Sequence, residues 1–377
     1  MGQGQRLGAK RQGSRVASAR AFAQVRRPSA QSLLDGKNLS TPREDGFAMV
    51  PDWVPHARCW MAWPCREAIW SNGIEAARQA YADVAEAISA FEPVTMIAKP
   101  EATASVSLYA SGKAVSVLPM PQDDSWVRDH GPTFLVDDQG NLGGVAWRFN
   151  GWGENVTDYA QDARMAARIL EHVNAKTFVS ALVTEGGSLH VDGEGTGLVC
   201  ETALLDPARN PGLGKDEIEA ELKAFLNLDK LIWLPAGLED DETRGHIDNL
   251  ACFARPGVVL AASCDDTADA NHAITQANLD ILRAATDAQG RTLEVLTLPQ
   301  PKRRDRKDGR RLTLSYVNFY IANGGVVMPA FADSADKAAY KVVSAAFPDR
   351  KVVQVEVSEL LLGGGGIHCI TQQQPAV

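Results

Sequence analysis

What most limits the fold of this chain is a weak internal repeat. From about residue 40 onward a short polar motif leads four times into an apolar strand, a Gly-containing turn, a second apolar strand and then a helix. The turns are Asp137-Asp138-Gln139-Gly140-Asn141, Asp192-Gly193-Glu194-Gly195, Arg255-Pro256-Gly257 and Asn323-Gly324-Gly325, all hairpin signals. Five stretches carry apolar residues at helical spacing: Glu75–Phe91, Ala160–His172, Asp216–Asn227, Asp269–Ala288 and Asp333–Phe347. Short β-branched runs follow helices, among them Val94-Thr95-Met96-Ile97, Leu231-Ile232-Trp233-Leu234 and Val352-Val353-Gln354-Val355. The period, roughly 55–70 residues, is that of one supersecondary unit. Five such units closed in a ring would bring their leading motifs to one place.

Those motifs are polar where a strand is about to begin. They run Pro121 to Pro132 (with Trp126-Val127-Arg128-Asp129), Glu185-Gly186-Gly187-Ser188-Leu189-His190, Thr243 to Leu250 (with His246-Ile247-Asp248-Asn249), and Ser315 to Tyr320. Placing hydrogen-bonding groups there costs several kcal/mol unless they are satisfied, so four together argue for a shared site. His246 and Asp248 are two apart and would share a face of a strand. A fifth stretch, Gly363-Gly364-Gly365-Gly366-Ile367-His368-Cys369-Ile370-Thr371, sets a thiol after a permissive glycine loop, on what reads as a buried strand.

The residue types point to a guest. Asp129, Glu185 and Asp248 supply carboxylates and Trp126 an aromatic face, which together suit a planar cation with forked N–H donors. A thiol and a histidine added to these suggest nucleophilic attack on a guanidinium carbon. Each residue also has a plain structural reading: Asp129 in an ion pair with Arg128, Glu185 in a turn, His246 and Trp126 in the core, Cys369 as a buried structural thiol. His130, His190 and His368 read as supporting or structural groups. A zinc hydrolase built on His246, Asp248 and Cys369 would want a compact ligand spacing that is missing here. A non-catalytic propeller-like binding module would not need both thiol and histidine.

Charge narrows the partners. Residues 1–34 hold seven Lys or Arg and no acid, leaving 31 basic against 47 acidic residues in the rest, about −16. An acidic body argues against nucleic acid and attracts a small cation. Residues 1–36 read as a basic, disordered leader, resembling a transit peptide in composition, though an over-extended start would look the same. Residues 37–377 read as one domain. The basic run Lys302–Arg311 reads as a solvated loop. No apolar run approaches the roughly 18 residues of a membrane span. Six cysteines without zinc or disulfide spacing, and no secretory segment, place the chain in the cytoplasm.

Five separated motifs then resemble a known family. Trp60-Met61-Ala62-Trp63-Pro64, Trp126-Val127-Arg128-Asp129, Glu185-Gly186-Gly187-Ser188, Gly245-His246-Ile247-Asp248-Asn249 and Gly363 to Gln373 are similar, in this order between Pro51 and Pro375, to the agmatine deiminases. These belong to a guanidino-group-modifying superfamily that includes bacterial peptidylarginine deiminases. One departure is Gly366, where the family's GGGNIHC pattern has Asn. The resemblance implies an α/β fold, a five-bladed β/α propeller (the pentein fold). It implies Cys369 as nucleophile, His246 as general acid and base, and Asp129, Glu185 and Asp248 around the guanidinium, with Trp126 shaping the pocket. The implied reaction takes agmatine to N-carbamoylputrescine and ammonia through an amidino-cysteine, a step towards putrescine and polyamines, with no metal or organic cofactor. Peptidylarginine deimination is the alternative. Agmatine is favoured by the acidic run Glu239-Asp240-Asp241-Glu242 and by the segment Glu185–Glu201 continuing to Asn210-Pro211. Glu242, and after it Asp241, is the expected contact for the distal amine. No nucleic-acid or membrane partner is implied, and a homo-oligomer is compatible with the sequence.

Overall fold

The repeat becomes five small sheets in the computed structural model, which describes residues 1–2, 40–110 and 114–377. Beyond its first two residues, the leader expected at 1–36 lies outside what is described. In each sheet an antiparallel pair, a hairpin in four of the five, is followed by a strand parallel to its second member. Thr133–Asp137 pairs with Leu142–Arg148, which runs parallel to Lys176–Val183; Phe47–Met49 adds an outer strand. His190–Val191, Thr196–Cys200 and Lys230–Leu234 repeat the arrangement. So do Ala251–Arg255, Val258–Ser263 and Glu294–Pro299, and Tyr320–Ala322, Gly325–Ala330 and Lys351–Glu356. The last sheet joins the two halves of the chain. Thr371–Pro375 pairs antiparallel with His56–Ala62, which runs parallel to Val94–Ala98 and so on to Val115–Pro119. This pairing closes the ring of five blades.

Local chemistry explains the unit. A hairpin needs only a tight turn, whereas a parallel step needs a crossover long enough to hold a helix. At the first turn Asp137 Oδ1 accepts the N–H groups of Gln139 and Asn141, and Gly140 takes φ +78°. Asp192 Oδ1 does the same for Glu194 and Thr196. The crossover helices are Ile74–Ser89, Met165–His172, Lys215–Leu226, Ala270–Ala284 and Asp336–Ala346, within the five stretches read from periodicity give or take a residue. Ile74–Ser89 buries Ala77, Tyr81, Val84, Ala85 and Ile88, one stripe of a 3.6-residue period. Middle strands are covered by neighbours on both edges and by packing on both faces, so Val258–Ser263 and Val94–Ala98 are buried throughout.

The motifs do stand ahead of strands, but His246, Asp248 and Cys369 are not on strands themselves, which corrects the expectation for these three. Asp129 lies in the helical turn Val127–His130, Glu185 immediately precedes the 3-10 turn Gly186–Ser188, and Asp248 sits in the 3-10 turn Ile247–Asn249 that His246 introduces. Cys369 lies in a turn over 367–370, just before the strand Thr371–Pro375. The pairing of His246 with Asp248 therefore does not come from strand alternation. A short helical, 3-10 or simple turn ahead of each blade tips polar side chains toward the neighbouring blades' turns. Among the described residues no helix is long and apolar enough to cross a membrane.

Candidate active site

Hydrogen bonds between the leading turns of different blades assemble the site. Asp129 Oδ1 accepts the Gly187 N–H at 3.2 Å, and Oδ2 accepts the Trp152 indole N–H at 2.9 Å. His246 Nε2 lies 3.2 Å from Glu185 Oε2, and its Nδ1 lies 3.6 Å from Asp129 Oδ1. Asp248 Oδ2 meets His368 Nδ1 at 2.9 Å and the Cys369 sulfur at 3.7 Å. All six of the core residues expected from sequence, Trp126, Asp129, Glu185, His246, Asp248 and Cys369, are buried. Gly187 shows why the Glu185 motif carries glycine. A Cβ there would stand 2.4 Å from His246 Nδ1, 2.9 Å from Asp129 Oδ1 and 3.1 Å from Asp248 Oδ2.

A cavity of about 470 Å³ opens onto this cluster, lined by Trp126, Asp129 and Cys369 on the inner side and by Glu242, Arg310 and the glycine loop toward the mouth. Trp126 stacks on Trp70, with ring centroids 5.8 Å apart, which fixes the indole as a wall. The glycine loop threads between these walls. A Cβ on Gly365 would meet the Trp126 ring at 2.6 Å and Cys369 Cβ at 2.9 Å, and one on Gly364 would meet Glu242 Oε2 at 2.2 Å. Consecutive glycines therefore separate the thiol from Glu242.

The charges are strongly coupled to burial. Burial would lower the His246 pKa, but the carboxylates of Asp129, Glu185 and Asp248 outweigh it and raise it to about 9. Burial, with Asp248 and Glu185 nearby, raises Asp129 to about 6 although His246 and Trp152 act the other way. Burial first, then Asp248 and Asp129, holds the Cys369 thiol well above its ordinary value. Asp248 is lowered despite its burial, because His368 donates to it.

Glu185 is committed differently from the other carboxylates. Arg209 Nε reaches both of its oxygens, at 3.0 and 3.1 Å, and His246 takes one as well. Arg209 also bonds Asp206 at 3.2 Å and the Thr243 carbonyl at 2.8 Å, and both Glu185 and Arg209 side chains are fully buried. Burial alone would raise Glu185, yet Arg209 and His246 bring it down to about 2. Sequence put three carboxylates on the guest; the hydrogen bonds give Glu185 to Arg209 and the histidine. Arg209→Met should therefore cost about 3–5 kcal/mol of stability, since the buried Glu185 loses its guanidinium and keeps only His246. Urea unfolding measures it, and a loss below about 1 kcal/mol would contradict this account.

The basic run 302–311 is also more than a solvated loop. Arg306 and Arg310 each reach Glu242 Oε1 at 3.1 Å, and Arg303 and Arg311 pair with Glu239. Arg306 further donates to the carbonyls of Leu361 and Leu362, tying the run to the glycine loop. Trp152, Arg209, Asn318 and Arg310 were not foreseen as site residues. Asn318 lay inside one of the repeated leading motifs and Arg310 inside the basic run, whereas Trp152 and Arg209 left no signal. Among the described residues no group of three or more His, Cys, Asp and Glu side chains is arranged as a metal site.

Residues 48–375 match the Porphyromonas-type peptidyl-arginine deiminase family. The chain belongs to that family. A putative agmatine deiminase of Legionella pneumophila is 46% identical over 341 residues, covering 90% of this chain and 98% of the relative. An agmatine deiminase of Stutzerimonas stutzeri is 45% identical over 359 residues, covering 89% and 98%. Among solved structures, the agmatine deiminase of Enterococcus faecalis superposes with a TM-score of 0.85 at 37% identity, covering 89% of this chain and 98% of that one. A cysteine-to-serine variant of the C. jejuni agmatine deiminase with substrate bound superposes with a TM-score of 0.80 at 26% identity, covering 88% and 96%. The five-bladed pentein propeller is the fold of this family member.

Proposed function

We propose that this chain is an agmatine deiminase, hydrolysing agmatine to N-carbamoylputrescine and ammonia. The observation that carries it is a cavity holding a buried thiol, an indole wall and Asp129 at one part and the Glu242 carboxylate across a glycine loop. Such a cavity suits a guest that is cationic at both ends, and agmatine is one. The relatives' names support the same substrate.

The chemistry follows from the groups present. Asp129 and Asp248 hold the guanidinium; Asp248 Oδ1, buried without a hydrogen-bond partner, is free to accept from it. Trp126 packs against the guest's plane. The arriving cation offsets the carboxylates that hold the thiol protonated, the thiol proton passes to solvent, and the Cys369 sulfur attacks the guanidinium carbon. His246, kept in place and charged by Glu185, delivers a proton to the departing nitrogen, and ammonia leaves a covalent amidino-cysteine. Neutral His246 then takes a proton from water as it attacks the same carbon, and the ureido product and free thiol are released. The sequence contains every group these steps use. Residues 37–377 form the catalytic unit in this reading. The acidic body and six unpaired cysteines support work on a small cation in a reducing cytoplasm, without nucleic acid or membrane.

Glu242 receives the distal ammonium through Oε2, while Arg306 and Arg310 hold Oε1. Glu242→Gln should raise KM for agmatine about tenfold and leave kcat within about threefold, because an interaction made equally in ground and transition states is lost. Ammonia release from agmatine, free arginine and an internal-arginine peptide tests the substrate. Faster turnover of the peptide would replace this assignment with a protein deiminase.

A further inference from the structure

We propose that Asn318 is a catalytic residue of this site, its side-chain amide donating to the Cys369 sulfur and stabilising the thiolate, and that the bare backbone at Gly366 is what admits it. The inference rests on Cys369 being the nucleophile. Asn318 lies just before the fourth hairpin's first strand, Tyr320–Ala322, and is buried. Its Nδ2 is 3.2 Å from Cys369 Sγ.

The amide cannot be turned round without loss. Asn318 Oδ1 accepts the backbone N–H of His368 at 2.9 Å, and a backbone N–H can only donate. The NH₂ must then face the other side, where it finds three acceptors: Sγ, Asn249 Oδ1 at 3.0 Å and the Asp248 carbonyl at 3.5 Å. Neighbours therefore fix the orientation that aims a donor at sulfur.

The sulfur needs such a donor. The titratable groups facing it are the carboxylates of Asp248 and Asp129, and each disfavours a second negative charge, while burial keeps the Tyr81 phenol neutral. Working against them are Asn318 and the backbone N–H of Gly366. A neutral donor stabilises the thiolate without attracting the carboxylates away from the guanidinium, as a nearby Lys or Arg would.

Gly366 explains how Asn318 fits. A Cβ at 366 would stand 2.5 Å from Asn318 Oδ1, 3.0 Å from its Cγ and 3.3 Å from its Cβ. A side chain at 366 and the observed Asn318 rotamer exclude one another. Gly366 is thus paired with an asparagine from another blade that takes up the space.

The test measures Cys369 itself as well as turnover. Iodoacetamide alkylation of Cys369 in the full chain, quantified by peptide mass spectrometry across pH without substrate, reports the thiolate directly. Asn318→Asp keeps the shape and the acceptor for His368 but turns an oxygen toward sulfur. It should move the alkylation midpoint up by about one unit or more and lower kcat about tenfold to a hundredfold, with KM for agmatine within about threefold. Asn318→Ala should shift both in the same direction if the aspartate variant fails to fold. Gly366→Ala should do likewise by displacing the amide, and Asn318→Ala combined with Gly366→Ala should be no worse than Asn318→Ala alone. Parental alkylation profiles with kcat within about twofold in the Asn318 variants would overturn the proposal, as would effects that multiply in the double variant. An active Cys369→Ser protein would instead remove the nucleophile itself.

Discussion

Cys369→Ser should eliminate ammonia release from agmatine, by at least about a thousandfold, a barrier increase above ~4 kcal/mol. The substitution is nearly isosteric at a buried position, so the melting temperature should stay close to the parent's. What changes is the nucleophile. A hydroxyl flanked by Asp248 and Asp129 ionises far less readily than a thiol in the same field, and no neighbouring group is placed to take its proton as strongly. Rapid quenching of the parent with agmatine, followed by peptide mass spectrometry, should find an amidino group on the Cys369 peptide, absent from the variant. Residual turnover within about tenfold of the parent, ~1.4 kcal/mol, would show that this sulfur does not carry the reaction.

The second large effect belongs to His246. His246→Gln should reduce kcat about 10²- to 10⁴-fold, the usual range for a positioned acid–base group. The pH profile of the parent gives a finer test. Asp129, raised to about 6, must be ionised to hold the guanidinium, so kcat/KM should fall as pH drops through about 6. His246, raised to about 9, must be protonated to release ammonia, so kcat/KM should fall as pH rises through about 9. The guanidinium stays protonated throughout, and ionisation of the Cys369 thiol, held well above its ordinary value, adds a rise toward alkaline pH that both proteins share, so the limb near 9 is read as the difference between the parent and His246→Gln. In His246→Gln the basic limb near 9 should disappear while the acidic limb remains. A basic limb unchanged by the substitution would assign it to another group, and His246 would lose its role as acid.

The acidic and basic runs near the mouth of the cavity show how far local sequence can mislead. Glu239–Glu242 and Lys302–Arg311 each look like solvated charge, because each is polar and lacks apolar periodicity. They are about sixty residues apart, and nothing within either run says that they pair. Folded, Glu242 is held by two arginines against the glycine loop and Arg311 is buried. Arg209 is similar: an arginine after Asp206 and Pro207 is unremarkable in sequence, yet it neutralises the Glu185 carboxylate that holds His246.

The five-unit repeat, its hairpin turns and its crossover helices were legible in the residues alone. So were the residue types that stand ahead of each blade. These are local properties: turn chemistry fixes a hairpin, apolar spacing fixes a helix, and a polar group ahead of an apolar strand must find a partner. Tertiary structure alone decided how the leading turns face one another. His246 and Asp248 converge because of a 3-10 turn rather than strand alternation, and Asp129 receives an indole N–H from Trp152. The amide of Asn318 reaches the Cys369 sulfur across fifty-one residues of chain. The last two contacts join groups 23 and 51 residues apart, and the ring that brings the turns together closes where the strand Thr371–Pro375 pairs with His56–Ala62. Periodicity records which face of an element is buried; the identity of the atom it meets depends on how the blades close around the axis.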